Sequence, residues 1–80
     1  MAPLSSLESG AVGVVQDLNG GRGFIGRAVA LGFTPGTKVA MVQNFSRGPL
    51  IVVVRDTHVA LGRGEATKIG VRKLVDSGGM

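Results

Sequence analysis

Residues 24–36, Phe-Ile-Gly-Arg-Ala-Val-Ala-Leu-Gly-Phe-Thr-Pro-Gly, limit the possible folds more than any other stretch of the chain. Phe24, Ile25, Ala28, Val29 and Leu31 recur at helical spacing as one broad apolar stripe, which leaves Arg27 and Ala30 towards solvent. Gly32 stands where the helix needs a left-handed C-terminal cap, a conformation glycine adopts without a Cβ clash. Phe33 can then fold back onto the last helical turn, and Pro35-Gly36 turns the chain into the next segment. No other stretch carries helical spacing for more than a turn. A single short helix, about residues 24–31, is therefore expected to plug a structure made otherwise of short strands. Val29 and Leu31 are expected in the core, where Leu31→Ala costs about 2–5 kcal/mol, and Gly32→Val is expected to be poorly tolerated.

The strands follow from alternation. In residues 11–18, Val12, Val14 and Leu18 share one face, interrupted at Gln16, and Ala11, Gly13, Val15 and Asp17 share the other. Residues 37–45 place Val39, Met41 and Phe45 on one side and Lys38, Val42 and Asn44 on the other. Residues 46–49, Ser-Arg-Gly-Pro, form a hairpin loop, because Gly and Pro both resist strand continuation. Residues 50–54, Leu-Ile-Val-Val-Val, are a continuous β-branched run, the pattern of a strand covered on both faces or nearly so. Asp56-Thr57 turns the chain into a short strand at 58–61, residues 65–68 form a single 3₁₀ turn, and 69–71 a last strand. Near the start, Leu4 and Leu7 sit three apart in a one-turn element that pins the N-terminus to the core.

Five or six short strands, tight turns and one helix within 80 residues predict an all-β fold, a small SH3-like antiparallel barrel with the helix inserted, the OB-fold being the other candidate. Residues 1–75 form one domain, and residues 76–80 are too small and polar to bury anything and form a flexible C-terminal tail. No apolar run approaches the roughly 20 residues of a membrane span. There is no cysteine, which fits a reducing cytoplasm and removes disulfides and thiolate metal sites.

The chemistry that is missing says most about function. Catalysis by acid and base needs a nucleophile with a partner base, or two carboxylates in differing environments. The chain has one histidine and five scattered acids, Glu8, Asp17, Asp56, Glu65 and Asp76, and so does not read as an enzyme. Gly20-Gly21-Arg22-Gly23 precedes the helix but lacks the ending of a P-loop and the full dinucleotide fingerprint, and reads as a flexible connection. Asp56 and His58, with Glu65 if the fold returns it, are the candidate ligands for a weakly bound Fe²⁺ or Zn²⁺. A first-row metal wants three or four ligands, so a site shared between two copies is the form this pair would allow. No cofactor is required by anything in the sequence. Nine Lys and Arg against five acids give a net charge of +4, dispersed along the chain. A single-strand nucleic-acid barrel needs exposed stacking aromatics, whereas Phe24, Phe33 and Phe45 all fall at positions the core wants and Trp and Tyr are absent.

One ordered set of residues resembles the FeoA family, small cytoplasmic proteins of bacterial ferrous iron transport. The set begins with Leu4-Ser5-Ser6-Leu7 and Gly10, then Arg27 followed by Leu31-Gly32-Phe33-Thr34-Pro35-Gly36. It continues with Gly48-Pro49-Leu50, Ala60-Leu61-Gly62-Arg63, Ala66, Ile69 and Val71. Ala28 stands where the family pattern leads one to expect Leu. The resemblance implies an SH3-like barrel that serves as an accessory to FeoB, the membrane Fe²⁺ permease with a cytoplasmic GTPase domain. It places the protein in the cytoplasm, at the inner face of the membrane through its partner. Arg27 on the helix flank, with Arg22 and Arg47 on neighbouring loops, is expected to contribute to docking, and the competing role for Arg27 is an ion pair within its own chain. Two other readings stay open: a metal-sensing module akin to the C-terminal domain of iron-dependent repressors, and a basic nucleic-acid-binding barrel. A homo-oligomer is compatible with each.

Overall fold

The computed structural model describes residues 1–45 and 47–74, so the expected tail at 76–80 lies outside the described residues. Six strands form one antiparallel sheet: β1 (Ala2–Pro3), β2 (Val12–Leu18), β3 (Lys38–Gln43), β4 (Leu50–Val54), β5 (Thr57–Leu61) and β6 (Ile69–Lys73). Their spatial order is β1-β6-β2-β3-β4-β5. Helix α1 (Arg22–Leu31) lies between β2 and β3 in sequence, and α2 (Arg63–Ala66) between β5 and β6. The expected architecture is the observed one. Among the differences, α1 starts two residues earlier than expected, and the single turn near residue 65 is α-helical and begins at Arg63.

The core is filled from one face of the sheet. Val15 and Val71 face each other across β2 and β6, Val39 and Val54 across β3 and β4, and Met41, Val52 and Val59 make a row across β3, β4 and β5. Leu4, the first residue of a 3₁₀ turn, and Leu7, its C-cap, are buried against them, which anchors the N-terminus as the leucine spacing predicts. Two bulges interrupt the ladder. β2 shifts register against β6 between Val15 and Asp17, and β3 shifts against β4 between Met41 and Gln43.

Helix α1 ends in a reversal that its sequence dictates. Gly32 has φ 110° and ψ 0°, its amide reaches the Val29 carbonyl at 3.0 Å, and the Phe33 amide reaches the Ala28 carbonyl at 2.9 Å. This paired capping satisfies carbonyls that would otherwise be orphaned, and it characteristically brings the residue after the glycine against the helix's last turn. Phe33 is fully buried as a result. The adjoining turn is tied to β2, with the Gly36 amide on the Val15 carbonyl and the Val15 amide on the Thr37 carbonyl.

That reversal corrects the expected core. Phe24 and Ala28 are buried and Ile25 packs against the core, but Val29 and Leu31 are 44% and 46% exposed. Val29 lies about 140° from Phe24 in helical projection and so falls outside the buried stripe. Leu31 lies only about 20° from Phe24 in helical projection; however, it is the last helical residue, and Phe33, turned back by the cap, is the side chain the core takes up there. Phe45 is also corrected. It is 63% exposed, because the extra residue at the β3 bulge breaks the alternation that would have carried it inward with Val39 and Met41. The β4–β5 turn falls one residue earlier than expected: Arg55 and Asp56 form the two-residue corner, both with positive φ (52° and 62°), the backbone that matches the twist of a tight hairpin.

These positions set a stability contrast. Phe33→Ala should cost about 3–5 kcal/mol and Leu31→Ala less than about 1 kcal/mol, read from denaturant unfolding midpoints. Gly32→Val should cost more than Leu31→Ala, because the left-handed backbone disfavours a β-branched residue and a Cβ there meets Val54 Cγ2 at 3.2 Å and Arg55 Cδ at 3.0 Å.

Candidate partner-binding surface

Three arginines expected to contact a partner are exposed, on two different parts of the molecule. Arg22 is the first residue of α1, Arg27 is in its middle, and Arg47 is in the β3–β4 connection. Arg27 also has a partner in its own chain. Its guanidinium donates to Glu65 Oε2 of α2 at 3.3 Å, with Arg27 largely in solvent and Glu65 partly so. Exposed pairs of this kind contribute little stability, so the contact orients Arg27 more than it holds the fold. One turn further on, Leu31 is exposed on the same flank, whereas exposed Val29, two positions from Arg27, faces the other way. The helix flank therefore combines an oriented cation with an apolar side chain that the core does not use.

The glycine-rich stretch is a connection only as far as Gly21; Arg22 and Gly23, expected in the loop, form the start of α1. Gly21 is the N-cap in extended conformation without a side-chain cap, and Lys68 Nζ sits 5.2 Å from the centroid of the Phe24 ring, over the helix's first turn.

The candidate metal ligands are not brought together. Asp56 occupies the β4–β5 corner, and His58, opposite Val53 on β5, is exposed. Glu65 is engaged elsewhere: Oε1 accepts the Gly62 amide at 3.1 Å, capping α2, while Oε2 accepts from Arg27. Among the described residues no group of three or more His, Cys, Asp or Glu could hold a metal ion. Nor is any helix long and apolar enough to cross a membrane.

One polar cluster was not legible in the sequence. Asn44 donates from Nδ2 to the carbonyls of Ser5 (3.0 Å) and Leu7 (2.6 Å), and its backbone amide donates to Ser9 Oγ at 2.9 Å. Its Oδ1 accepts from Arg63 of α2 at 2.7 Å. A single amide side chain thus joins the N-terminal segment, the end of β3 and α2. Arg63 stood out only as part of a motif; nothing in local spacing connects it with a residue 19 positions away. Exposed Phe45 follows Asn44 directly.

Comparison with known proteins agrees with this architecture and with the ordered motif set. The FeoA domain model matches residues 2–73. The chain belongs to the FeoA family. A provisionally named Fe(2+) transport protein A of Methanocaldococcus jannaschii is 34% identical over 71 residues, covering 89% of this chain and 85% of that protein. A crystal structure of an iron uptake regulatory protein, also a FeoA, superposes with a TM-score of 0.87 at 34% identity, covering 91% of this chain and 97% of the other. FeoA of Stenotrophomonas maltophilia, crystallised with zinc and described as a prokaryotic SH3-domain protein, superposes with a TM-score of 0.78 at 34% identity, with 90% and 91% of the two chains covered. The SH3-like barrel is thereby the fold of this FeoA protein. A manganese-dependent transcriptional repressor, at 19% identity and a TM-score of 0.81, shares the fold over 41% of its own length.

The Asn44 cluster yields a prediction. Asn44→Ala leaves the Ser5 and Leu7 carbonyls without their donor and Arg63 without its acceptor, and should cost about 1–3 kcal/mol. In contrast, Arg27→Gln should change stability by less than about 1 kcal/mol. Unfolding midpoints of the two variants separate the two kinds of contact.

Proposed function

We propose that this chain is a small cytoplasmic accessory of ferrous iron transport that docks on the cytoplasmic GTPase part of the FeoB membrane permease, and that it is not an enzyme. The observation that carries this reading is the match of the FeoA domain model to residues 2–73, and the surface of α1 supports it. An adaptor needs exposed side chains that cost little to desolvate and a charge to fix orientation. Leu31 supplies the first and Arg27, one turn before it and held by Glu65, the second. Arg22, at the start of the helix, adds a second cation to α1, and Arg47, in the β3–β4 connection on another part of the molecule, is a separate point of contact.

Direct metal binding has a smaller place in this reading. The zinc-bound relative favours a weak divalent-ion contact, Fe²⁺ or Zn²⁺, and here Asp56 and His58 are the side chains that could contribute to one, at a site completed by a second molecule.

The test is calorimetric titration of the full chain with the purified cytoplasmic part of the permease. Binding is expected, and Arg27→Glu should weaken it at least about tenfold while the circular dichroism spectrum stays unchanged. Unchanged affinity in the folded variant removes Arg27 from the docking surface, and absence of binding by the wild-type chain overturns the reading.

A further inference from the structure

The β-sheet has a second face, and its composition is unusual for one turned to solvent. The register places Val12, Ala40, Val53 and His58 in one row across β2, β3, β4 and β5. A neighbouring row holds Arg72, Val14 and Lys38 across β6, β2 and β3, and on the other side Ile51 lies opposite Ala60. These residues alternate with the buried ones, so they point away from the core. An antiparallel strand with one solvated face ordinarily reads apolar-polar, yet β4 is apolar throughout and its outward pair is Ile51 and Val53. Val12, Val14, Ala40, Ile51 and Val53 are all partly exposed, and none belongs with Ala11, Leu18 and Ile25, the partly buried side chains that pack on the core.

Charge on this face has one sign. Lys38 and Arg72 are exposed on either side of Val14, and none of the outward positions in these rows is acidic. Neither cation is in an ion pair among the described residues; those pairs are Arg27–Glu65 and Lys73–Glu8.

We propose that this outer face, the stripe Val12–Ala40–Val53 with Ile51 and Val14, edged by Lys38 and Arg72, is a docking surface for a protein segment that carries an apolar ridge flanked by carboxylates. It is distinct from the α1 flank, and it stands whether or not the permease is the partner there. Charge complementarity selects the occupant. An apolar ridge covers the valines, and acids beside it meet Lys38 and Arg72, which fixes register and suppresses partners of the wrong sign. A second copy of this chain would bring the same cationic face to itself. Nucleic acid would gain two phosphate contacts and no stacking, because no aromatic residue occupies the stripe. The stripe, four of its five residues Val or Ala, also lacks the Trp, Phe and Leu side chains that bury themselves in a bilayer interface.

The experiment titrates the isotope-labelled full chain with two synthetic amphipathic helical peptides that share an apolar ridge of leucines, one edged by glutamates and the other by lysines. The acidic peptide is expected to bind, to shift the amide resonances of Val12, Ala40, Val53 and His58, and to weaken with added salt, while the basic peptide does not bind. The double variant Lys38→Glu/Arg72→Glu, both sites exposed, should weaken the acidic peptide at least about tenfold and begin to bind the basic one. Val53→Thr, which keeps the β-branched shape, should weaken it about threefold or more. Preserved spectral dispersion in each variant shows that it is folded. No binding of the acidic peptide, shifts confined to α1, or affinity indifferent to the charge reversal each overturn the proposal. So do concentration-dependent dimerisation that masks the same amides, and co-sedimentation with phosphatidylglycerol vesicles that is lost in Val53→Thr.

Discussion

The barrel depends on how α1 stops. Between β2 and β3 the chain must cross the open side of the sheet and return in register, and a helix does this only if it ends abruptly with its last carbonyls satisfied. Gly32 in the left-handed region permits the reversal, and the two amides that follow Leu31 close it onto Ala28 and Val29. Phe33 is delivered into the core by the same geometry, and the turn after it is tied to β2 through Gly36 and Thr37. Helix capping, the largest core side chain and the β2–β3 pairing are thus consequences of one backbone conformation. The packing of Arg55 and Val54 around Gly32 adds the hairpin β4–β5 to that set.

Much of the fold was legible wherever one local pattern decides the outcome. Leu4 and Leu7 at a spacing of three and Val39 and Met41 at a spacing of two each report their own environment, and the structure buries them as the spacing says. The β-branched run from Leu50, expected to be covered on both faces, is buried on one only: Leu50, Val52 and Val54 enter the core, while Ile51 and Val53 stay partly exposed. The errors occur where a distant or cumulative effect intervenes. Leu31 has the right helical phase and the wrong height, because the reversal offers its place to Phe33. Phe45 has the right parity until the bulge at the end of β3 consumes one residue. Register is a running count, and one inserted residue inverts every inference drawn after it.

The candidate site was less legible than the fold, for a related reason. Arginines can be named from sequence, but whether one is spoken for depends on which acid the fold returns to it. Arg27 meets Glu65 across 38 positions and Arg63 meets Asn44 across 19. Neither pairing has a periodicity. Glu65 illustrates the cost of this: as a sequence element it was a candidate metal ligand, while in the structure both of its oxygens are occupied, one by the α2 cap and one by Arg27.

A small barrel of this kind has one interior, and the strands can fill it from one side only. Any apolar residue beyond that supply must face outward, where it either costs solubility or serves contact with another molecule. β4 places such residues on both sides, and α1 carries two more past the point where the core is full. Exposed cations lie beside both surplus sets, Lys38 and Arg72 beside the outer sheet face and Arg27 beside Leu31. Charge next to exposed apolar surface, on a chain of net charge +4, favours a partner of opposite sign. For an adaptor, that combination is the functional chemistry, and it resides in the side chains that the core leaves over.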